Sequence, residues 1–424
     1  MSPSRWPFYY GWVIVGVAFL GSGIGSGVAL WGASVFVLPM TEDLGWSRAT
    51  FFSAITVRIA ITGISSPFVG PLFDTKHGPR IAAMGGAVIL GVSLSLLQYI
   101  DSVWQFILLF GVAGAFADMG SGFMVSQVLV PKWFVRQRGR ALGIAIAGVG
   151  LGATVFPGSV SALVNAVGWR DAWMWLGIVT GVISFLLALL IRTRPEDVGL
   201  LPDGAPVVDT GRAADHPAPP ARAEVSLTRS EAVRTPAFWL LAGSFAFAGF
   251  GIMGFQSNWL PYLLEQDFSA TQASVGILFY GVISGVSRPF WGLLAERVQP
   301  RYLMAGSTLV TALSIAAFLQ IHSMPPLVAY MSVAGVSMGG FLILQSLLTA
   351  NYFGRAHLGS VSNMFRPAAM ATGAFSPLLI GVLYDIRGTY TLAFTAAGIA
   401  WAIAGLFALV ARAPSATRAG SRDG

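Results

Sequence analysis

Pro67-Phe68-Val69-Gly70-Pro71-Leu72-Phe73-Asp74 returns 222 residues later as Pro289-Phe290-Trp291-Gly292-Leu293-Leu294-Ala295-Glu296. The proline, the phenylalanine, the glycine and the terminal acid keep their places. Working outward, Leu38-Pro39 through Ser47 recurs at the same offset as Leu260-Pro261 through Ser269, and Pro157 and Gly168 recur at an offset of 220 as Pro377 and Gly388. Three matches in register, in a chain this apolar, indicate a duplicated membrane bundle. Bundles built from parallel repeats place a substrate site between the halves near the bilayer midplane.

Composition agrees. The 424 residues are 55% hydrophobic and 10% charged, with a mean hydropathy of +0.71. A soluble domain carries roughly 25% charged residues, so most of this surface must face lipid. With no cysteine, disulfides, thiol catalysis and thiolate metal sites are excluded. His77, His216, His322 and His357 fall in or near expected loops, so no metal is expected. The run Gly148-Val149-Gly150-Leu151-Gly152 lacks the Gly-Lys-Ser/Thr ending of a phosphate loop. No catalytic constellation is visible, so neither enzymatic activity nor a cofactor is expected. The net charge of +7 is read as topological, with no nucleic-acid partner.

A crossing takes about 20 apolar residues. Twelve are expected: 12–39, 47–73, 80–100, 104–130, 141–165, 171–192, 236–263, 270–295, 301–321, 325–350, 357–383 and 389–411. The fold class is therefore an all-α membrane protein of twelve transmembrane helices in two pseudo-symmetric six-helix bundles. The bundles cover 1–192 and 236–412. A Pro/Ala/Asp/Arg-rich segment, 193–235, is expected to be a flexible cytoplasmic linker, and 413–424 a disordered cytoplasmic tail. The first apolar stretch is too long for a signal-peptide core and reads as a span. Of 25 Lys and Arg, only Arg48, Arg170 and Arg387 fall on one side and Arg58, Arg288 and Arg366 within the bilayer. The remainder mark the cytoplasmic face, where both termini lie. A bacterial inner (plasma) membrane and a monomer are expected. Ser47 and Ser269 are expected N-caps, the latter with Gln272 in a capping box. Trp46, Trp104, Trp169, Trp173 and Trp259 are expected interfacial anchors.

The loop Gly70-Pro71-Leu72-Phe73-Asp74-Thr75-Lys76-His77-Gly78-Pro79-Arg80 puts a glycine four residues before an acid at a cytoplasmic helix junction. The glycine permits close helix contact, and the acid can take a cation from a neighbouring loop. A plain positive-inside turn accounts for the bases but not for this spacing. Gly70, Asp74, Arg80, Arg136 and Glu296 are expected to form a conformational latch.

This loop resembles the signature between spans two and three of the major facilitator superfamily, Gly-x-x-x-Asp-Arg/Lys-x-Gly-x-Arg/Lys. It departs by Thr75 in the basic position and by one extra residue before Gly78. Three further stretches resemble the monocarboxylate and oxalate/formate branch: Trp133-Phe134-Val135-Arg136-Gln137-Arg138-Gly139-Arg140-Ala141-Leu142-Gly143 at the start of span five, Tyr9-Tyr10-Gly11-Trp12 at span one, and Arg194 to Gly204 after span six. The resemblance covers nearly the whole chain. It implies the major facilitator fold, with two bundles rocking about a central site.

A charge at the bilayer centre costs roughly 2.5–3.5 kcal/mol on insertion scales, so such residues persist where they face a cavity or a partner. Arg288 precedes Pro289 deep in span eight. The resemblance implies that it binds a substrate carboxylate, a task its planar fork suits. Ser284 stands where animal members of the branch carry an aspartate, so that coupling role does not carry over. Arg58 in span two either contacts the ligand or pairs with Asp118 of span four, the one carboxylate at membrane depth. Asp118 either carries a proton or only pairs. Arg366 is read as structural, snorkelling to the cytoplasmic face. Tyr280, the repeat mate of Arg58, joins Gln256 and Asn258 as candidate substrate contacts. Each of these, with Gln345, has interhelical hydrogen bonding as its plain alternative.

The expected function is secondary transport of a small organic anion, monocarboxylate-like, with a proton or in exchange for another carboxylate. Its expected partners are that anion, protons and the lipid bilayer. Two alternatives stand. The aromatic span seven, with Phe245, Phe247, Phe250 and Phe255, fits a bulkier aromatic, vitamin-like or drug-like cargo. The linker would fit a membrane sensor that transports nothing.

Overall fold

The computed structural model describes residues 8–120, 122–204 and 226–414. Among these residues there is no strand. Four helical spans come first: α1 (Gly11–Leu44), α2 (Arg48–Asp74), α3 (Gly78–Tyr99) and α4 (Val103–Trp133). Next is an unbroken run, Arg138–Leu189, of 52 residues. At 1.5 Å per residue this is about 78 Å, more than twice the hydrocarbon core. It breaks at Gly168, whose φ of 80° and ψ of 164° suit a residue without a Cβ. The two arms are α5 (138–167) and α6 (169–189). Then come α7 (Pro236–Ser257), α8 (Thr271–Ala295), α9 (Pro300–Phe318), α10 (Met324–Phe353), α11 (Leu358–Arg387) and α12 (Thr391–Val410).

Caps start the spans where the sequence says they should. Ser47 accepts the Thr50 N–H, and Ser269 with Gln272 forms the capping box of α8. The packing repeats with the sequence. Within the first half α1 lies on α5, α3 on α6 and α2 on α4; in the second half α7 lies on α11, α9 on α12 and α8 on α10. The halves meet through the related pairs α2–α11 and α8–α5. Aromatic clusters fill each half. Phe36 stacks on Trp173 at 3.8 Å between centroids, and Phe255 meets Trp259, Phe318 and Phe394 edge-on.

Two expectations need correction. Trp104 is exposed at a span end, but Trp173 and Trp259 are buried core residues rather than interfacial anchors. Apolar burial outweighs the wish of an indole N–H for water; Trp173 gives its Nε1–H to Met40 Sδ at 3.3 Å. The segment 193–235 is not flexible at its ends. Thr193 donates to the Lys76 carbonyl, Arg194 to the carbonyls of Asp74 and Ala356, and Glu196 pairs with Arg355 at 2.7 Å. Asp203 accepts from the backbone N–H groups of Val135, Arg136 and Gln137 at 2.8–3.2 Å. Leu227 N–H reaches the Phe353 carbonyl, and Thr228 with Glu231 caps a short helix, Arg229–Val233. Residues 205–225 and 415–424 lie outside the described residues.

Candidate functional site

Two backbone crossings join the halves on the face where α2 and α8 end. A Cβ on Gly70 would stand 2.7 Å from the Gly359 carbonyl oxygen, and one on Gly292 would stand 2.1 Å from that of Gly139. Both distances are shorter than any real Cβ contact, so only glycine permits either crossing. Gly70 and Gly292 are repeat mates, and so are Gly139 and Gly359, at an offset of 220.

A carboxylate secures each crossing. Asp74 accepts from the N–H groups of Gly359 and Ser360, at 2.9 and 2.7 Å, and from Lys132 Nζ at 2.8 Å. Its repeat mate Glu296 accepts the Arg140 N–H at 3.0 Å, with the Arg140 guanidinium 3.6 Å away. Each acid thus caps the start of a helix in the other half, where the free N–H groups and the helix dipole favour a negative charge. Two expected members of this latch do other work. Arg136 offers only its backbone N–H, to Asp203, and the Arg80 Nε is buried without a partner among the described residues. Lys132 was missed; it sits in the last turn of α4, one residue before the Trp133–Gly143 stretch.

Arg58 and Asp118 meet inside the first half. The guanidinium donates to both carboxylate oxygens at 2.7 Å and stacks over Phe110 at 5.0 Å. α4 widens into π-helical turns at Ile107–Ala113 and Val125–Leu129, on either side of Asp118. The pair borders a cleft of only about 40 Å³. Of the two alternatives for Arg58, the structure displays the ion pair.

Arg288 on α8 points across to α5 and donates to the Ile146 carbonyl at 3.0 Å. Its Nε is buried with no hydrogen-bond partner among the described residues. Gln256 donates to Tyr280 Oη at 2.7 Å, a bridge between α7 and α8. Asn258 is occupied by the Gly254 carbonyl and Ser257 Oγ at the end of α7.

A second space lies between the halves, a cavity of about 450 Å³. Thr56, Ile59, Phe123 and Gln127 come from the first half, and α7, α10 and α11 supply the rest. None of the five expected substrate contacts is in this lining. Arg366 is, which corrects its reading as a snorkelling residue: its guanidinium lies over the Phe123 ring of the opposite half at 5.5 Å. Among the described residues Arg366 has no salt-bridge partner, and Asp118 is engaged by Arg58.

The profile of the Major Facilitator Superfamily matches residues 12–277 and 253–424. The chain belongs to the major facilitator superfamily. Among curated proteins, the oxalate:formate antiporter of Oxalobacter formigenes is 27% identical over 344 residues, covering 81% of this chain and 78% of that protein. Monocarboxylate transporter 13 of Bos taurus is 26% identical over 409 residues, covering 95% and 89%. Among solved structures, the human organic anion transporter MFSD10 (TETRAN) superposes with a TM-score of 0.69 at 14% identity, covering 94% of this chain and 99% of that one. The suspected monocarboxylate and oxalate/formate branch is thus matched by its relatives. The major facilitator fold and its multi-pass membrane placement stand, and the chain is a transporter of this superfamily.

Proposed function

We propose that this transporter moves a small organic anion, monocarboxylate-like, by alternating access, with a proton or in exchange for another carboxylate. One observation carries the reading. Among the described residues at membrane depth, three arginines face one carboxylate, and that carboxylate is consumed by Arg58. Arg288 and Arg366 are left as guanidinium groups with no carboxylate partner. A positive interior without counter-charge is costly in a bilayer, and an anionic cargo supplies the missing charge. The relatives' names include monocarboxylate, oxalate and formate, which fits the same class.

In this reading Arg288 takes the carboxylate when the α5–α8 contact opens, with Tyr280 and Gln256 beside it. Arg58 sets the field, and Asp118 either carries a proton or only holds Arg58. The Asp74 and Glu296 contacts hold the state seen here, closed on the basic face. Both termini are assigned to the cytoplasm on the charge asymmetry and the protein to the inner membrane on its lack of cysteine; a monomer is the working unit of this reading.

The test is uptake of labelled mono- and dicarboxylates into proteoliposomes, with and without an inward proton gradient, for wild type and Arg288→Gln. Accumulation of an acid by wild type, lost in the variant, supports the proposal. Uptake only against a preloaded carboxylate selects exchange over proton coupling. Failure of correctly inserted protein to move any acid contradicts it and promotes a neutral cargo.

A further inference from the structure

The central cavity is polarised along the membrane normal. On α11 its lining runs from Leu358 to Pro377, about 28 Å at 1.5 Å per residue. The Leu358 end is shut by the Gly70–Gly359 crossing. Near that end lie Arg366, Gln127, Gln345 and Thr349, each in the portion of its span closer to the basic face. The side-chain amides of Gln127 and Gln345 and the guanidinium of Arg366 have no protein hydrogen-bond partner among the described residues. Toward the Pro377 end the wall is mostly apolar, with Ile59, Ile252, Met253, Met370 and Ala374 beside the hydroxyls of Thr56 and Ser257, which are engaged by carbonyls of their own helices.

We propose that the cargo is an amphipathic monocarboxylate, one carboxylate on a branched or aromatic body. In the state seen here, with Arg288 tied to the Ile146 carbonyl, the carboxylate lies on Arg366 and the two glutamine amides, the body fills the Met253–Pro377 end, and Arg288 reaches the carboxylate only once the α5–α8 contact opens. The proposal rests on the organic-anion reading above and gives it a substrate class.

Three features select this class. The cavity lining holds one cation, because Arg288 is outside it and tied to the Ile146 carbonyl; a dianion would bring its second charge against a mostly apolar wall with no second cation. Its volume of about 450 Å³ falls in the range that encloses ligands larger than a one- or two-carbon acid. The guanidinium lies over the Phe123 ring at 5.5 Å and makes no hydrogen bond to the protein among the described residues, so its planar fork is available for two-point binding.

The experiment is equilibrium binding to the purified full chain by calorimetry. The probes are phenylacetate, 4-methylpentanoate, formate, oxalate, succinate and the neutral phenylacetamide. The first two should bind at least about tenfold more tightly than the other four, since each of the four lacks either the body or the single charge. Arg366→Gln should weaken phenylacetate by about tenfold or more and Arg366→Lys should recover part of it. Ala374→Phe removes no polar group and puts a ring into the apolar end; it should weaken the two larger acids while leaving the unfolding temperature unchanged. Tightest binding of a short acid or of succinate, or unchanged binding in Arg366→Gln, overturns the proposal and leaves the organic-anion reading standing. Binding of phenylacetamide as tight as phenylacetate, or of no acid at all, sinks both. Should Arg366→Gln fail to fold, the wild-type ranking and Ala374→Phe decide.

Discussion

Asp118 holds Arg58 at two points while its own side chain keeps only 26% exposure. Removing one partner of such a pair strands a charge, a loss of about 3–5 kcal/mol for buried pairs, with the residual exposure of Asp118 placing it near the lower end. Asp118→Asn should therefore lower the unfolding free energy in detergent by about 3 kcal/mol, and the double change Arg58→Met with Asp118→Leu should regain most of it. A single-variant loss well under 1 kcal/mol would mean the pair contributes nothing structurally. The pair was one of two alternatives the sequence left open for Arg58, and it was nameable because Asp118 is alone at its depth. Arg366 was not legible. Its distance from the basic face permits snorkelling, and only the packing of α11 on α2 and α7 turns it inward. The same holds for Lys132, whose partner Asp74 lies 58 residues away.

Among the element contacts that join the two halves, the glycine crossings of Gly139 with Gly292 and of Gly70 with Gly359 are the tightest. The Gly-x-x-x-Asp spacing announced the first and its weaker repeat the second, but not that each acid would cap a helix of the opposite half. Gly292→Val drives a side chain into the Gly139 carbonyl and should open the basic face. The chain has no cysteine, so spin labels can be placed at Lys76→Cys and Arg297→Cys without other changes. Their distance distribution should lengthen in Gly292→Val and in Asp74→Asn; identical distributions would show that the crossings do not set the closed state. The start of the inter-half segment adds a strap that composition hid, since Asp203 is one acid in a run that reads as unstructured. Asp203→Asn keeps a residue that tolerates its φ of 58° and removes the charge from three N–H acceptances. Exchange of the amides of Val135, Arg136 and Gln137 should accelerate roughly fivefold to tenfold, the effect of one hydrogen bond of about 1 kcal/mol.

At the scale of the molecule, the internal repeat carried most of the fold. Offsets of 220 and 222 between Pro67 and Pro289, Pro157 and Pro377, and Gly70 and Gly292 reappear as matched helix pairs within and between the halves. The unbroken helical run divides at Gly168, between the expected spans 141–165 and 171–192, where Arg170 and Asp171 supply the polar gap that apolar counting reads. The cavity itself could not be seen in a line of residues, because its wall is drawn from both halves and its volume depends on how far apart they stand. A transporter, a neutral-solute carrier and a silent sensor would share all of that architecture. They differ in whether an acid crosses. The most direct measurement is counterflow in proteoliposomes preloaded with unlabelled phenylacetate, with trace labelled phenylacetate outside and no ion gradient. The account predicts a transient overshoot of label above equilibrium that is absent without the preload and lost in Arg366→Gln. Binding of phenylacetate with no overshoot, in protein shown to be inserted and folded, would contradict it.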